Sequence, residues 1–169
     1  LEDVRPLMNM EGPATGRGMA ASASPSNPRT KTVDLGGGVG LDLVWIPPGT
    51  FLMGSPENEK GSSSGESPQH KVTISKGFWM GKYEVTQEQW TRVMGLNSPS
   101  HFNKVGKRAP VENASKDLCT AFLQRLNSQM EERKQPLTFR LPTEAEWEYA
   151  CRAGTTTPFS FGESLDSSM

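Results

Sequence analysis

The segment Phe139-Arg140-Leu141-Pro142-Thr143-Glu144-Ala145-Glu146 limits the fold more than any other stretch of the chain. Residues 138–141 read as a short strand, and Pro142, with no amide hydrogen and a fixed φ, stops it. Thr143 and Glu146 then have the spacing of a capping box, in which each side chain accepts from the other residue's backbone N–H. A helix opens at once and runs to about Arg152, with Gly154 placed to close it. Trp147 and Tyr149 lie on this helix. Each is expected to contribute roughly 1.5–3 kcal/mol through burial.

A second capping box, Thr86-Gln87-Glu88-Gln89, predicts a short helix carrying Trp90, Val93 and Met94 and ended by Gly95. Ser115 is placed to cap a longer helix over about 116–133, with Asp117 in its first turn favoured by the dipole. Leu118, Cys119, Phe122, Leu123, Leu126 and Met130 fall at helical spacing and predict one buried stripe, and Arg133 and Lys134 suit its C-terminal end. Upstream, residues 41–46 read as a strand stopped by Pro47-Pro48-Gly49, and 50–54 as a second strand forming a hairpin with it. Residues 55–69 are a polar loop, 70–74 alternate polar and apolar, and Phe78-Trp79-Met80 with Tyr83 read as the next strand. Residues 96–110 form a loop around Pro99 and Pro110. Strands and helices this short, without regular βαβ spacing, predict an irregular α+β fold with much loop.

No aromatic residue precedes Trp45, and residues 1–40 are rich in Gly and Pro. A segment that buries so little cannot offset the entropy of ordering, so 1–32 is expected to be a flexible tail or linker, with the folded domain at 33–169. Gly36 to Gly40 is not placed between a strand and a helix, as a dinucleotide-binding loop would be, and reads as a flexible joint. The first residue is Leu1, and Met169 follows a polar run that closes no element, so a fragment trimmed at one or both ends is expected.

Charge and apolar content bear on the partners to expect. Eighteen Lys+Arg against 19 Asp+Glu give a net charge of -1, which supplies no electrostatic reason for nucleic acid or an anionic membrane. No apolar run approaches the roughly 18 residues of a membrane span.

Candidates for chemistry are few. Gly77-Phe78-Trp79-Met80-Gly81-Lys82-Tyr83 has the wrong spacing for a phosphate-binding loop and ends in Tyr. His70 and His101 lack neighbouring metal-ligating residues. Glu144, Glu146 and Glu148 are spaced two apart, so successive members point to different helix faces and do not act together directly; acids in the first turn serve the dipole. Cys119 lies on the apolar stripe and reads as a small buried hydrophobe, and Cys151 sits near a helix C-terminus beside Arg152 with no histidine close by. Asn113-Ala114-Ser115 is a glycosylation sequon of consequence only in a eukaryotic secreted protein.

The run from Phe139 through Arg140-Leu141-Pro142-Thr143-Glu144-Ala145-Glu146-Trp147-Glu148-Tyr149-Ala150-Cys151-Arg152-Ala153-Gly154 resembles the RLPTEAEWEYA(C/A)R-G signature of the formylglycine-generating enzyme (sulfatase-modifying factor) family. Three more segments resemble that family in its order: Val44 to Ser55, its opening hairpin; Tyr83-Glu84-Val85-Thr86-Gln87, its E-V-T-[NQ] helix start; and Pro110 to Ser115, its P-V-x-x-V-S-W turn. The last departs from the pattern, with Lys116 where the family has Trp.

The resemblance implies an irregular, loop-rich fold related to C-type lectins, incomplete at its C-terminus, with Arg140, Pro142, Thr143, Glu144, Glu146, Trp147 and Tyr149 as structural signature. It also implies an activity in the enzymatic members: oxidation of a sulfatase cysteine in a C-x-P-x-R-type segment to formylglycine, with oxygen and copper held by two cysteines. Those cysteines and the calcium-binding segments belong to the family's C-terminal half, so no catalytic, cofactor-binding or metal residue is assigned here. Cys151 matches a position that in some members forms a disulfide with a C-terminal cysteine. The expected partner is a sulfatase-type peptide or another protein. The alternative is a non-catalytic, lectin-like binding or accessory module of a bacterial multidomain protein; a truncated, inactive product is a third. The isolated chain is expected to be marginal or aggregation-prone.

Overall fold

The computed structural model describes residues 9–11, 29–59, 61–135, 137–160 and 162. The expectation of a tail at 1–32 therefore lies mostly outside the described residues. The elements in chain order are β1 (Asn9–Glu11), β2 (Thr30–Gly36), β3 (Val39–Ile46), β4 (Gly49–Met53), β5 (His70–Ile74), β6 (Phe78–Gly81), α1 (Gln87–Met94), α2 (Lys116–Glu132), β7 (Thr138–Arg140) and α3 (Glu144–Arg152). The mixture of short strands and short helices is the mixed α/β composition expected. They form two compact units, one from residues up to Trp45 with Phe78–Leu141, the other from Ile46–Gly77 with residues from Pro142 on.

Unit one holds a five-stranded sheet in the order β2-β3-β6-β1-β7. β2 and β3 are an antiparallel hairpin with Val33 opposite Leu41 and Lys31 opposite Leu43. Its turn is Gly36-Gly37-Gly38, with φ of 88°, 64° and 79°. Three successive left-handed residues are accessible to glycine at little steric cost, so this run is a turn and not the flexible joint expected. β1 lies antiparallel to β6 and to β7, with Met10 opposite Trp79 on one side and Phe139 on the other. Main-chain hydrogen bonds hold such a strand without any aromatic side chain. β2 opens at Thr30, before the boundary at 33.

The predicted hairpin of residues 41–46 with 50–54 does not form. β3 pairs with β2 and β6, whereas β4 pairs with β5, Phe51 opposite Val72. Pro47 and Pro48 between them have no amide hydrogens with which to continue a ladder, and the chain leaves one sheet for the other.

The core of unit one lies between this sheet and two helices. Val33, Leu35, Leu41 and Leu43 alternate along β2 and β3 and are buried with Trp90 and Val93 of α1 and Phe122, Leu126 and Met130 of α2. The Trp90 and Phe122 rings stack 5.1 Å apart. Both helix starts follow the sequence: Thr86 Oγ1 accepts from Gln89 N–H while Gln89 Oε1 accepts from Thr86 N–H, and Ser115 Oγ accepts from Leu118 N–H. Gly95 ends α1 in the left-handed conformation. Leu118 leaves the predicted stripe and is 37% exposed. It precedes Cys119 by one residue, which turns it about 100° away from the core-facing line.

Unit two contains the β4–β5 pair, one 3-10 turn at Ser64–Glu66 inside the polar loop, and α3. Thr143 and Glu146 close the predicted capping box. The left-handed cap falls on Ala153 (φ 49°), one residue before the expected Gly154 (φ 90°). The deep burial expected of the α3 aromatics is not found: no residue of the helix is fully buried, Trp147 is 42% exposed, and Tyr149 is half-buried. Among the described residues no helix is long and apolar enough to cross a membrane.

Candidate functional site

The signature segment builds its most connected cluster on α3 and the end of β4. Glu148 and Arg152 are four apart on one helix face and form an ion pair of 2.7 Å, with side chains 19% and 16% exposed. Both reach the backbone of the same residue. Glu148 Oε1 accepts from Gly54 N–H at 2.8 Å, and Arg152 Nη2 donates to Gly54 O at 3.0 Å. Gln69 Nε2 donates to that carbonyl as well, at 3.1 Å. Gly54 has φ 89°, and a Cβ there would run into the carbonyl oxygen of Glu66. The position thus needs glycine for conformation and for space.

Beside this cluster, Tyr149 packs on Phe51 with ring centroids 5.3 Å apart, and its hydroxyl occupies the space a side chain at Gly49 would take. A cleft of about 750 Å³ opens here, lined by Ile46, Phe51, Leu52, Lys71, Tyr149 and Ala150 among others. In the adjoining loop the buried Ser55 hydroxyl lies 2.7 Å from Glu66 Oε2 and 3.0 Å from Glu59 Oε1. The Ser55 hydrogen bond, helped by Ser63 N–H, holds the Glu66 carboxyl below its ordinary range.

The other nominated residues have separate surroundings. Arg140 Nη1 donates to Leu141 O in unit one, Pro142 joins β7 to α3, and Glu144 is exposed in the first turn of α3. Cys119 is fully buried in the core of unit one, and burial pushes its thiol up. Cys151 is exposed in unit two, and both cysteines are free. His70 Nδ1 lies 3.0 Å from Pro68 O, and His101 stands edge-on to Phe102.

These surroundings do not suit the copper and calcium that the sequence resemblance implies. Copper held by a thiolate pair needs two accessible, deprotonated sulfurs, and Cys119 offers neither property. Among the described residues, no group of three or more His, Cys, Asp or Glu side chains is arranged to hold an ion such as calcium. Sequence reasoning missed Gly54, and it missed Glu148 and Arg152 as a pair. The i,i+4 order of acid then base was the readable signal.

The sulfatase-modifying factor enzyme 1-like domain family matches residues 40–169. The chain belongs to this family. A relative named "Chaperone protein LppX", from Paenibacillus barcinonensis, is 35% identical over 141 residues, covering 67% of this chain and 46% of its own. Among solved structures, Treponema denticola variable protein 1 is similar with TM-score 0.61 and 27% identity, over 79% of this chain and 60% of that one. PvdO from Pseudomonas aeruginosa shares the fold with TM-score 0.64 and 24% identity, over 85% and 58%. The chain thus spans about half the length of its curated relative and about three fifths of each of these structures.

Proposed function

We propose that these residues form the scaffold portion of a formylglycine-generating-enzyme-like domain, of irregular C-type-lectin-related architecture, and carry out no oxidation themselves. One observation carries this reading: the signature side chains are engaged in holding structure. Thr143 and Glu146 cap α3, Glu148 and Arg152 hold Gly54, and Tyr149 packs on Phe51. In this reading, oxidation of a sulfatase-type cysteine with oxygen and copper belongs to a longer parent protein, with calcium also bound outside these residues. The chain should leave the cysteine of a C-x-P-x-R peptide unchanged when incubated with copper and oxygen. Formylglycine in the peptide, detected by mass spectrometry, would overturn the reading. In the parent coding sequence, a cysteine pair separated by four residues and followed by R-G-G-S-W favours the enzyme.

A second reading, a non-catalytic binding module, is favoured by the cleft of unit two and by the exposed Leu52 (46%) and Trp147 (42%). The relative bearing the name chaperone is consistent with it. Its test is whether the chain keeps an aggregating client protein in solution, and whether Leu52→Ser with Trp147→Ser removes that effect. An unchanged effect in the double variant would exclude these two exposed side chains as the binding surface.

A further inference from the structure

The loop between α1 and α2 carries exposed apolar surface and charge that neither reading uses. From Gly95 to Ser115 the chain has three Lys or Arg and one acid, Glu112, against a net charge of -1 for the whole. Leu96 (67% exposed), Phe102 (61%) and Val105 (72%) all lie within this stretch. Lys104, Lys107 and Arg108 belong to the same loop and form no ion pair with a described residue. Acids occur at its base: Glu88 shares a cleft with Lys107, and Asp42 and Glu84 share another with Arg108 and Lys82.

The backbone beneath the tip is pinned. Val105 N–H donates to Phe102 O at 3.2 Å, and Ala109 N–H to Gly106 O at 3.0 Å. Glu88 N–H donates to Lys107 O at 2.9 Å, and Phe102 N–H to Glu112 Oε1 at 2.8 Å. The buried Gln87 donates its side-chain amide to Phe102 O at 3.3 Å. A loop tied at so many points holds its apolar side chains outward without a further ordering cost on binding.

We propose that this tip docks on an anionic lipid surface, with Phe102 and Val105 entering the interface and Lys104, Lys107 and Arg108 at the headgroups. Charge complementarity selects an anionic occupant. The outward apolar side chains select lipid over an acidic protein: Leu96, Phe102 and Val105 do not line the clefts beside them, whereas a bilayer interface accepts protruding apolar groups flanked by cations. Each Lys or Arg near such a surface raises partitioning about fivefold. Burying the exposed part of Phe102 adds roughly another fivefold to twentyfold. Near-neutral net charge hides this local asymmetry.

The test is flotation of the chain with vesicles of phosphatidylcholine and phosphatidylglycerol, three to one, with pure phosphatidylcholine as control. Flotation separates bound protein from any aggregate, which sinks. Binding is expected to the anionic vesicles at low salt, falling at least tenfold on the neutral ones and in about 0.5 M salt. Lys104→Gln with Lys107→Gln should cut it about 25-fold. Phe102→Ser with Val105→Ser should cut it at least fivefold while keeping the salt dependence. These side chains are exposed, and circular dichroism checks that both variants keep the fold. Failure to float with anionic vesicles, indifference to either variant, or binding to polyglutamate instead of lipid would overturn the proposal.

Discussion

Truncating either side chain of the Glu148–Arg152 pair should destabilise unit two far more than an ordinary surface ion pair would. Exposed pairs are worth about 0.2–1 kcal/mol, and breaking a fully buried one costs about 3–5 kcal/mol. With 19% and 16% of the two side chains exposed, the pair lies nearer the buried case. Each partner also holds one backbone group of Gly54, its N–H at 2.8 Å and its carbonyl at 3.0 Å. A charge-assisted hydrogen bond is worth about 1.5–3 kcal/mol, so Glu148→Ala and Arg152→Ala are each expected to cost about 2–3 kcal/mol. For a chain of this length that corresponds to a fall in melting temperature of about 4–12 °C. The two losses should not add, because they remove one shared network. A double-mutant cycle by urea denaturation, followed by hydrogen exchange of peptides spanning 142–157, should give a coupling above about 1 kcal/mol. A coupling below about 0.3 kcal/mol would refute the claim that the two residues act as a unit on Gly54.

Gly36→Ala forces an L residue to φ 88° and displaces the guanidinium groups of Arg92 and Arg133, which donate to Leu35 O; a loss of about 1–2 kcal/mol in unit one is expected by denaturation. Maleimide should label exposed Cys151 in the native chain and buried Cys119 only after denaturation; equal rates would contradict the placement of Cys119 in the core. Glu66 has a folded pKa below its ordinary 4.5, so its contribution is fully present above that value and is lost as pH falls through the folded pKa. Ser55→Ala should move the Glu66 carboxyl titration up towards 4.5 by NMR, and an unmoved titration would remove Ser55 as the cause. The isolated chain should melt broadly, with exposed Trp147, Leu52, Phe102 and Val105 promoting aggregation; a reversible, cooperative calorimetric transition would count against this.

What was legible in the sequence was local. Thr86 with Gln89, and Thr143 with Glu146, specify helix starts because both partners lie within one turn, and both boxes close as read. Most of the α2 stripe followed from periodicity, with Leu118 the exception. Strand pairing was not legible, since β3 and β4 are neighbours in sequence but find different partners across many residues. The cluster on Gly54 joins residues 94 apart, and only its helical half, Glu148 before Arg152, leaves a trace in local spacing. The exposure of Trp147 was misread because residue type gives a tendency to burial, whereas the surface that covers a side chain comes from elsewhere in the chain or from a partner.

The most direct test of the scaffold reading is a competition titration of the reduced chain with copper(I). The Cys119 thiol is buried and inaccessible, so no tight one-to-one complex requiring both sulfurs is expected. A stoichiometric complex lost on replacing either cysteine by alanine would show that the folded chain assembles a thiolate pair, and would contradict the account.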